Sequence, residues 1–214
     1  MSGRPGSIGE RVTEPFWEAG YSDPAGPPVF GLPSDEVQSL VGNLPTPARA
    51  LDLGCGDGRN ALFLLRKGLQ VTAVDISARA VAKLAASAQG CEGLLHARVA
   101  DAREYSLEGH YDLIIAHGLL HLMPRADWSP LLTRMQHATS HHGYNVVAVF
   151  TNTLPTPPDL EPFMLGLFRE GELAEQYAGW RITLRRSYVL EDEHPGGIRH
   201  RHPVNKIVAQ RVAG

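Results

Sequence analysis

The feature that most constrains this chain is a cluster of alternating glycines at residues 54–58, between a strand-like run and a helical pattern. The apolar run from Ala48 to Leu53 precedes the glycines, and an amphipathic helical pattern opens at Ala61 to Leu65. A second strand-like run, Gln70 to Val74, ends at Asp75. Glycines let the backbone turn sharply beside a ligand, and a carboxylate at the neighbouring strand end can accept both ribose hydroxyls. The arrangement predicts a site for an adenosine-containing cofactor rather than a simple turn.

Two classes of cofactor compete for this loop. Read from Gly54, the pattern is G-x-G-x-G, and Arg59 stands where the dinucleotide fingerprint needs a third glycine or alanine. Read from Gly56, the fingerprint G-x-G-x-x-A is satisfied, but it begins well beyond the strand end. Asp52, inside the preceding strand, is unfavourable beside a negatively charged pyrophosphate and favourable beside a cation. S-adenosylmethionine, which carries an ammonium and a sulfonium, is therefore favoured over a dinucleotide.

The motifs resemble those of class I S-adenosylmethionine-dependent methyltransferases. Leu51 to Asn60 resembles the first motif, and Asp75 matches the acid that holds the ribose. Asp101, in the sequence V-A-D-A, matches the acid that meets the adenine amino group, and Tyr111 to Ala116 matches the fourth strand. The resemblance implies S-adenosylmethionine as cofactor. It assigns the following cofactor-binding residues: Asp52, Gly54, Gly56, Gly58, Asn60, Asp75, Ile76, Asp101, Ala102 and His117.

Alternating strand and helix patterns predict an α/β fold with a mostly parallel sheet covered by helices on both faces. The last two strand-like runs, Arg181 to Tyr188 and Val204 to Val212, are joined by a connection too short for a crossover helix. They predict an antiparallel C-terminal hairpin at one sheet edge. The resemblance implies that the whole sheet is Rossmann-like and seven-stranded.

Within the superfamily, the chain is similar to the tellurite-resistance family of methyltransferases from about Ser34 to Ala209. The more specific signals are the G-R-N ending of the first motif at residues 58–60 and the run F-R-E-G-E-L at residues 168–173, followed by Trp180. In that family, a histidine and nearby arginines of the late hairpin serve the methyl acceptor. The resemblance implies an acceptor of soft sulfur, selenium or tellurium chemistry.

The candidate acceptor residues lie between the last two strand-like runs, at residues 191–202. A histidine can act as a base near neutral pH, and arginines present planar donors to an oxyanion. The resemblance implies this role for His194 and Arg201, with Arg199 beside them. Taken alone, the pattern also fits a solvated turn, and His200-x-His202 is a weak metal motif for which we predict no metal.

The first 33 residues predict an N-terminal extension that covers the domain formed by residues 34–214. The aromatic run from Phe16 to Tyr21 fits either packing onto the domain surface or the lining of a substrate pocket. The region up to Ser34 is similar to thiopurine methyltransferases and their bacterial relatives. His117 and His121 follow the fourth strand, where the loop borders both cofactor and acceptor in the family that the chain resembles.

Composition excludes some partners. The net charge of −3 gives no general electrostatic case for nucleic acid, and no run approaches the ~20 apolar residues that span a membrane. The two cysteines, Cys55 and Cys91, and the absence of a signal-peptide pattern predict a reducing cytoplasm. We expect a monomer or homodimer acting on a small molecule.

These observations together predict a methyltransferase that uses S-adenosylmethionine on a chalcogen oxyanion, such as tellurite or selenite, or on a thiol, in detoxification. Two alternatives remain at this stage. The first is methyl transfer to an oxygen or nitrogen atom of a small metabolite. The second is a non-catalytic protein that binds S-adenosylmethionine.

Overall fold

The computed structural model describes residues 16–23, 26–194 and 198–212. The described residues form one seven-stranded sheet, in the order β3-β2-β1-β4-β5-β7-β6. The strands are β1 (Arg49–Leu53), β2 (Gln70–Asp75), β3 (Leu95–Val99), β4 (Tyr111–His117), β5 (Thr139–Phe150), β6 (Arg181–His194) and β7 (Ile198–Gln210). The helices are α1 (Phe16–Gly20), α2 (Asp35–Leu40), α3 (Arg59–Arg66), α4 (Ala78–Ser87), α5 (Arg125–Ala138) and α6 (Glu172–Glu175).

The pairing of the strands confirms the predicted mixed sheet. Strands β1 to β5 pair in parallel, whereas β7 is antiparallel to both β5 and β6. In parallel sheets of this kind, ligands bind beyond the carboxyl ends of the strands. The carboxyl ends of β1 and β2, where Asp52 and Asp75 lie, therefore form the expected binding edge.

Two apolar clusters cover the two faces of the sheet. One packs α5, with Trp128, Leu131 and Met135, against β1, β4 and β5. The other packs α3 and α4 against β1, β2 and β4, with Leu64 and Leu84 completely buried. Burial on both faces explains why the central strands are near-continuous apolar runs, since neither face meets water.

The C-terminal hairpin is longer than the sequence predicts. Residues 181–194 and 198–210 are both strand, and the ladder continues to the pair His194↔Ile198. Strand β5 ends opposite Val204. The part of the hairpin between Val204 and its tip therefore projects past the binding edge. The segment predicted to be a connection is therefore mostly ordered ladder.

Candidate active site

The glycine loop is held in a shape that other residues cannot adopt without strain. Gly54, Gly56 and Gly58 have φ values of 67°, 54° and 91°. A Cβ atom on Gly58 would lie 2.3 Å from Cδ1 of Leu84, so both its backbone conformation and its packing require glycine. The loop thereby opens α3 while its backbone faces the cavity at the sheet edge.

Asp52 places a buried carboxylate against this cavity. Its side chain is 2% exposed, and its Oδ2 atom has no hydrogen-bond partner among the described residues. The pKa of Asp52 is raised to about 7, mainly by burial; Arg59 opposes the rise and the nearby Asp75 adds to it. A buried carboxylate oxygen without a partner is costly unless a donor or cation arrives. The residue therefore suits the ammonium of S-adenosylmethionine.

Asp75 ends β2 and is fixed against the glycine loop. Its Oδ2 accepts from the N–H of Gly56 at 2.8 Å, and its Oδ1 accepts from the N–H of Ser77 at 2.9 Å. Burial raises its pKa, and these two backbone donors oppose that rise. A carboxylate has about four lone-pair positions, so two stay available for ligand hydroxyls.

The predicted adenine end combines an open apolar side chain with an acid. Ile76 is 66% exposed and lines the cavity, together with the buried Ala102. Asp101 also lines it, and its carboxylate accepts from the guanidinium of Arg103 at 2.5 Å, which lowers the pKa of Asp101. An exposed aliphatic side chain beside an acceptor suits a flat heterocycle with an amino group.

Arg59 and His117 form a polar pair, of which only His117 is predicted from the sequence to bind the cofactor. Nη2 of Arg59 lies 2.8 Å from Nδ1 of His117, and Nη1 donates to the carbonyl of Phe30 at 3.1 Å. Burial, and then Arg59, hold the pKa of His117 well below its usual range. The neutral ring accepts at Nδ1, so Nε2 carries the proton, and Nε2 has no partner among the described residues. This donor and the guanidinium suit a carboxylate.

The side-chain carbonyl of Asn60 is bound by Ser34, so it does not serve the cavity only. Its Oδ1 accepts from the N–H of Ser34 at 3.0 Å and from the hydroxyl of Ser34 at 3.2 Å. Ser34 stands immediately before α2. Asn60, although it lines the cavity, therefore also positions the start of α2 over the glycine loop.

The backbone of the segment before Ser34 forms hydrogen bonds with both partners of a buried ion pair in the cofactor region. Lys83 of α4 lies 2.9 Å from Asp57 of the glycine loop, and both side chains are almost completely buried. Asp57 accepts from the N–H of Val29 at 2.8 Å, and Lys83 donates to the carbonyl of Pro27 at 2.9 Å. These contacts hold residues 26–30 over the loop. Residues 1–15 and 24–25 of the predicted cover lie outside the described residues.

At residues 199–202 of β7, the histidines lie on the buried face of the strand and the arginines on its exposed face. His200 and His202 are buried, with 4% and 3% exposure, whereas Arg201 is 64% exposed and pairs with Glu191 at 3.4 Å. Side chains alternate along a strand, so Arg199 shares the exposed face of Arg201. Among the histidines and arginines at 199–202, His202 lines the cavity, whereas Arg199, His200 and Arg201 do not. The side chain of His194 lies outside the described residues.

His202 belongs to an aromatic stack at the end of β5. The ring of Phe150 lies between His202, with centroids 4.4 Å apart, and His121, with centroids 4.2 Å apart. Nδ1 of His121 accepts from the N–H of Phe150 at 3.2 Å, and burial lowers the pKa of His121 to about 3. His121 is therefore neutral at physiological pH and fixes the stack. The sequence singled out His121 but assigned nothing to His202 beyond the weak metal motif.

Metal-ligand geometry is not found at this stack. His200 pairs through Nε2 with Oδ2 of Asp159 at 3.1 Å. Among the residues that the structure describes, no group of three or more histidine, cysteine, aspartate or glutamate side chains could hold a metal ion.

One cavity of about 1870 Å³ is lined by Asp52, Arg59, Asp75, Asp101, His117 and His202. Ligand pockets usually measure about 300–1000 Å³, so this cavity has room for more than a cofactor. It extends along the binding edge from Asp101, after β3, to His202 on β7. The residues predicted for cofactor binding lie at one end, and the aromatic stack lies at the other.

Comparison with known proteins identifies the family. Residues 33–193 match the family described as tellurite resistance protein TehB. The chain belongs to the TehB family. The match confirms the family predicted from the G-R-N and E-G-E-L motifs. It also confirms the class I fold and S-adenosylmethionine as the cofactor of the family.

Individual relatives agree with this assignment. The chain is 30% identical over 137 residues to a probable S-adenosyl-L-methionine-dependent methyltransferase TehB of Haemophilus influenzae, covering 64% of this chain and 47% of that protein. It is 35% identical over 136 residues to hemagglutinin 1 of Eikenella corrodens, covering 64% and 45%. The crystal structure of TehB from Haemophilus influenzae superposes with a TM-score of 0.72 at 25% identity, covering 83% of this chain and 62% of that one.

The chain spans about half the length of the curated relatives it matches. In the described ranges, no helix has the length and apolar character needed to cross a bilayer.

Proposed function

We propose that this protein transfers a methyl group from S-adenosylmethionine to a small molecule with a soft chalcogen nucleophile, either an oxyanion such as tellurite or selenite, or a thiol, in a detoxifying role. The observation that carries the proposal is one continuous cavity, lined by the buried carboxylate of Asp52 on its cofactor side and by His202 on its acceptor side. Membership of the TehB family supports the same chemistry.

The cofactor end would hold S-adenosylmethionine through groups already on one edge of the sheet. Asp52 would receive the ammonium, while Arg59 and Nε2–H of His117 would receive the carboxylate. Asp75 would accept from the ribose hydroxyls. A larger set completes the site: Gly54, Gly56 and Gly58 shape the loop, Asn60 positions α2, and Ile76, Asp101 and Ala102 meet the adenine.

When bound, the sulfonium supplies an electrophilic methyl group, so the protein has to orient a nucleophile and exclude water. Phe150 and His121 fix the plane of His202 against the acceptor end of the cavity. We propose that His202 contacts the acceptor and takes its proton where one must leave. Of the residues predicted to hold the acceptor, His194 remains a candidate, whereas Arg199 and Arg201 do not line the cavity and are not assigned this role.

The segment before Ser34 would cover the cofactor, because Asp57, Lys83 and Arg59 all bond to its backbone. We also propose that residues 34–214 form the catalytic domain, acting as a monomer or homodimer in the cytoplasm. The net charge of −3 supports a small-molecule acceptor over nucleic acid.

The test is turnover on a defined panel. Purified protein is incubated with S-adenosylmethionine and, in separate reactions, tellurite, selenite, an aromatic thiol, a small phenol and a small amine. S-adenosylhomocysteine and volatile methylated products are measured. Turnover on a chalcogen or thiol supports the proposal. Turnover confined to the phenol or amine transfers the assignment to oxygen or nitrogen methylation, and cofactor binding without any turnover supports a non-catalytic protein.

A further inference from the structure

The acceptor end of the cavity has an apolar and aromatic wall. Trp17 of α1 packs against Phe163, with ring centroids 5.5 Å apart, and both line the cavity. Leu165 lines the same region and is 54% exposed although it is a large aliphatic residue. An exposed apolar surface of this kind inside a cavity marks a ligand-binding wall.

The wall runs from α1, after which Tyr21 lies close to Gly56 of the glycine loop, to the segment after β5 on the acceptor side of the sheet. It is built from the loop after β4, from residues 148–165 that include the end of β5, and from α1. Most cofactor groups lie over β1, β2 and β3, in the other half of the sheet order, and His117 at the end of β4 adjoins them. Phe163 and Leu165, which belong to the segment after β5, therefore form the part of the wall on the acceptor side.

Charge at the acceptor end is positive. The cavity's carboxylates come from the glycine loop, the ends of β1, β2 and β3, and α2, where Glu36 pairs with Lys206. Among the described lining residues of segments 117–124, 148–165 and 185–206, none is acidic, whereas Arg185 and Arg186 are basic. An acceptor that ionises to an anion is favoured there over a cation.

We propose that the physiological acceptor is a thiol carried on a flat apolar group, an aryl thiol, whose ring packs against Phe163 and Leu165 and whose sulfur faces His202. This inference rests on the proposed function and narrows its acceptor. A hydrated inorganic oxyanion buries no apolar surface and gains nothing from the wall. A phenol with the same ring fits the wall but ionises less readily, because phenolic groups titrate near pH 10 and thiols near 8.5.

The transfer balances without a further reactant. The acceptor sulfur forms a bond to the methyl carbon while the bond from that carbon to the sulfonium breaks. The bonding pair returns to the sulfonium sulfur, which becomes the neutral thioether of S-adenosylhomocysteine. The thiol proton passes to the imidazole of His202 or to solvent before attack.

The test compares four acceptors under one set of conditions: 2-naphthalenethiol, 2-mercaptoethanol, 2-naphthol and selenite. The first two share sulfur and differ in the apolar body, whereas the first and third share the body and differ in the nucleophile. We expect kcat/KM for 2-naphthalenethiol to exceed each of the others by at least about 100-fold, a difference of about 2.7 kcal/mol. Equal values for 2-naphthol or 2-mercaptoethanol overturn the proposal.

Variants of the wall supply a second readout. Phe163→Ala is expected to raise KM for 2-naphthalenethiol about 10-fold, with kcat and the affinity for S-adenosylmethionine within about two-fold of wild type. Phe63→Ala is the matched control, because Phe63 lies on α3 and does not line the cavity. An unchanged KM in Phe163→Ala contradicts the wall's role.

Failure of this inference and failure of the proposed function are distinguishable. Selenite or tellurite turned over faster than 2-naphthalenethiol overturns the aryl thiol and leaves chalcogen methylation intact. No turnover of any acceptor by protein that binds S-adenosylmethionine overturns both.

Discussion

Asp52 and Arg59 lie on either side of the first turn of the glycine loop, and the guanidinium of Arg59 is the main charge opposing the raised pKa of the Asp52 carboxyl. Arg59 is itself committed to His117 and to the backbone of Phe30. The carboxylate therefore keeps an oxygen without a partner, and a ligand ammonium can supply the missing one.

Cofactor binding should release a proton from Asp52 near neutral pH. Its pKa is raised from 3.8 to about 7 in the free protein, so part of the population is protonated there, and an arriving ammonium favours the ionised form. Calorimetric titration of S-adenosylmethionine at pH 7 in phosphate and in Tris buffers should show proton release. Asp52→Asn should abolish the release and weaken binding about 10- to 100-fold, since charged hydrogen bonds contribute about 1.5–3 kcal/mol.

Asp112→Asn is the control, because Asp112 accepts from the N–H of Arg49 at the opposite edge of the sheet.

The raised pKa of Asp52 also makes the free energy of unfolding depend on pH. The folded protein binds this proton more tightly than the unfolded chain, so the free protein should lose stability as pH rises from about 4 through about 7. Equal pH dependence in wild type and Asp52→Asn would contradict the assignment.

Gly58→Ala should destabilise the fold more than Gly68→Ala. Both glycines have positive φ, of 91° and 83°, but a Cβ on Gly58 meets Leu84 at 2.3 Å while one on Gly68 meets nothing within 4 Å. Left-handed backbone costs about 1–2 kcal/mol in either variant, and overpacking adds about 1–3 kcal/mol at Gly58. Urea unfolding measures the difference, and equal losses would refute close packing at Gly58.

Lys83→Met should cost about 3–5 kcal/mol, because it leaves the buried carboxylate of Asp57 without its cation. The double variant Lys83→Met with Asp57→Asn should recover part of that loss. Thermal unfolding of the two proteins at one pH checks the comparison. A double variant no more stable than Lys83→Met would show that the ion pair is not the reason for the cost.

His202→Gln and Arg201→Gln should separate the two faces of the hairpin. We expect His202→Gln to lower kcat about 10- to 1000-fold with cofactor affinity unchanged, in the range of a lost proton acceptor. Arg201→Gln should change kcat less than about three-fold, since Arg201 forms an exposed pair with Glu191, and such pairs contribute about 0–1 kcal/mol. A large loss of kcat in Arg201→Gln would return the acceptor role to the arginines.

Much of the cofactor half could be predicted from sequence because its signals are local. A glycine cluster, an apolar strand and an acid at the next strand end fix Gly54, Asp52 and Asp75 relative to one another within about 25 residues. Parallel pairing of β1 with β2 then places both acids at one edge. In the sequence, Arg59 is a departure from the dinucleotide pattern and part of the G-R-N signal, but nothing local shows that its guanidinium meets His117.

The acceptor half depended on features that the sequence does not display. The sequence predicts that residues 191–202 are a connection, in which neighbouring side chains can point to the same ligand. Because they are largely strand, alternation separates His202 from Arg201. Contact between His202, Phe150 and His121 joins three segments that are distant in sequence, and only the sheet order brings them together.

The central claim is that one cavity holds cofactor and acceptor together, so that the methyl group passes directly between them. Initial rates of S-adenosylhomocysteine formation, with S-adenosylmethionine and acceptor both varied, test it most directly. Direct transfer predicts intersecting double-reciprocal lines, because both ligands occupy the protein before reaction. Parallel lines would indicate a methylated protein intermediate and would contradict the claim.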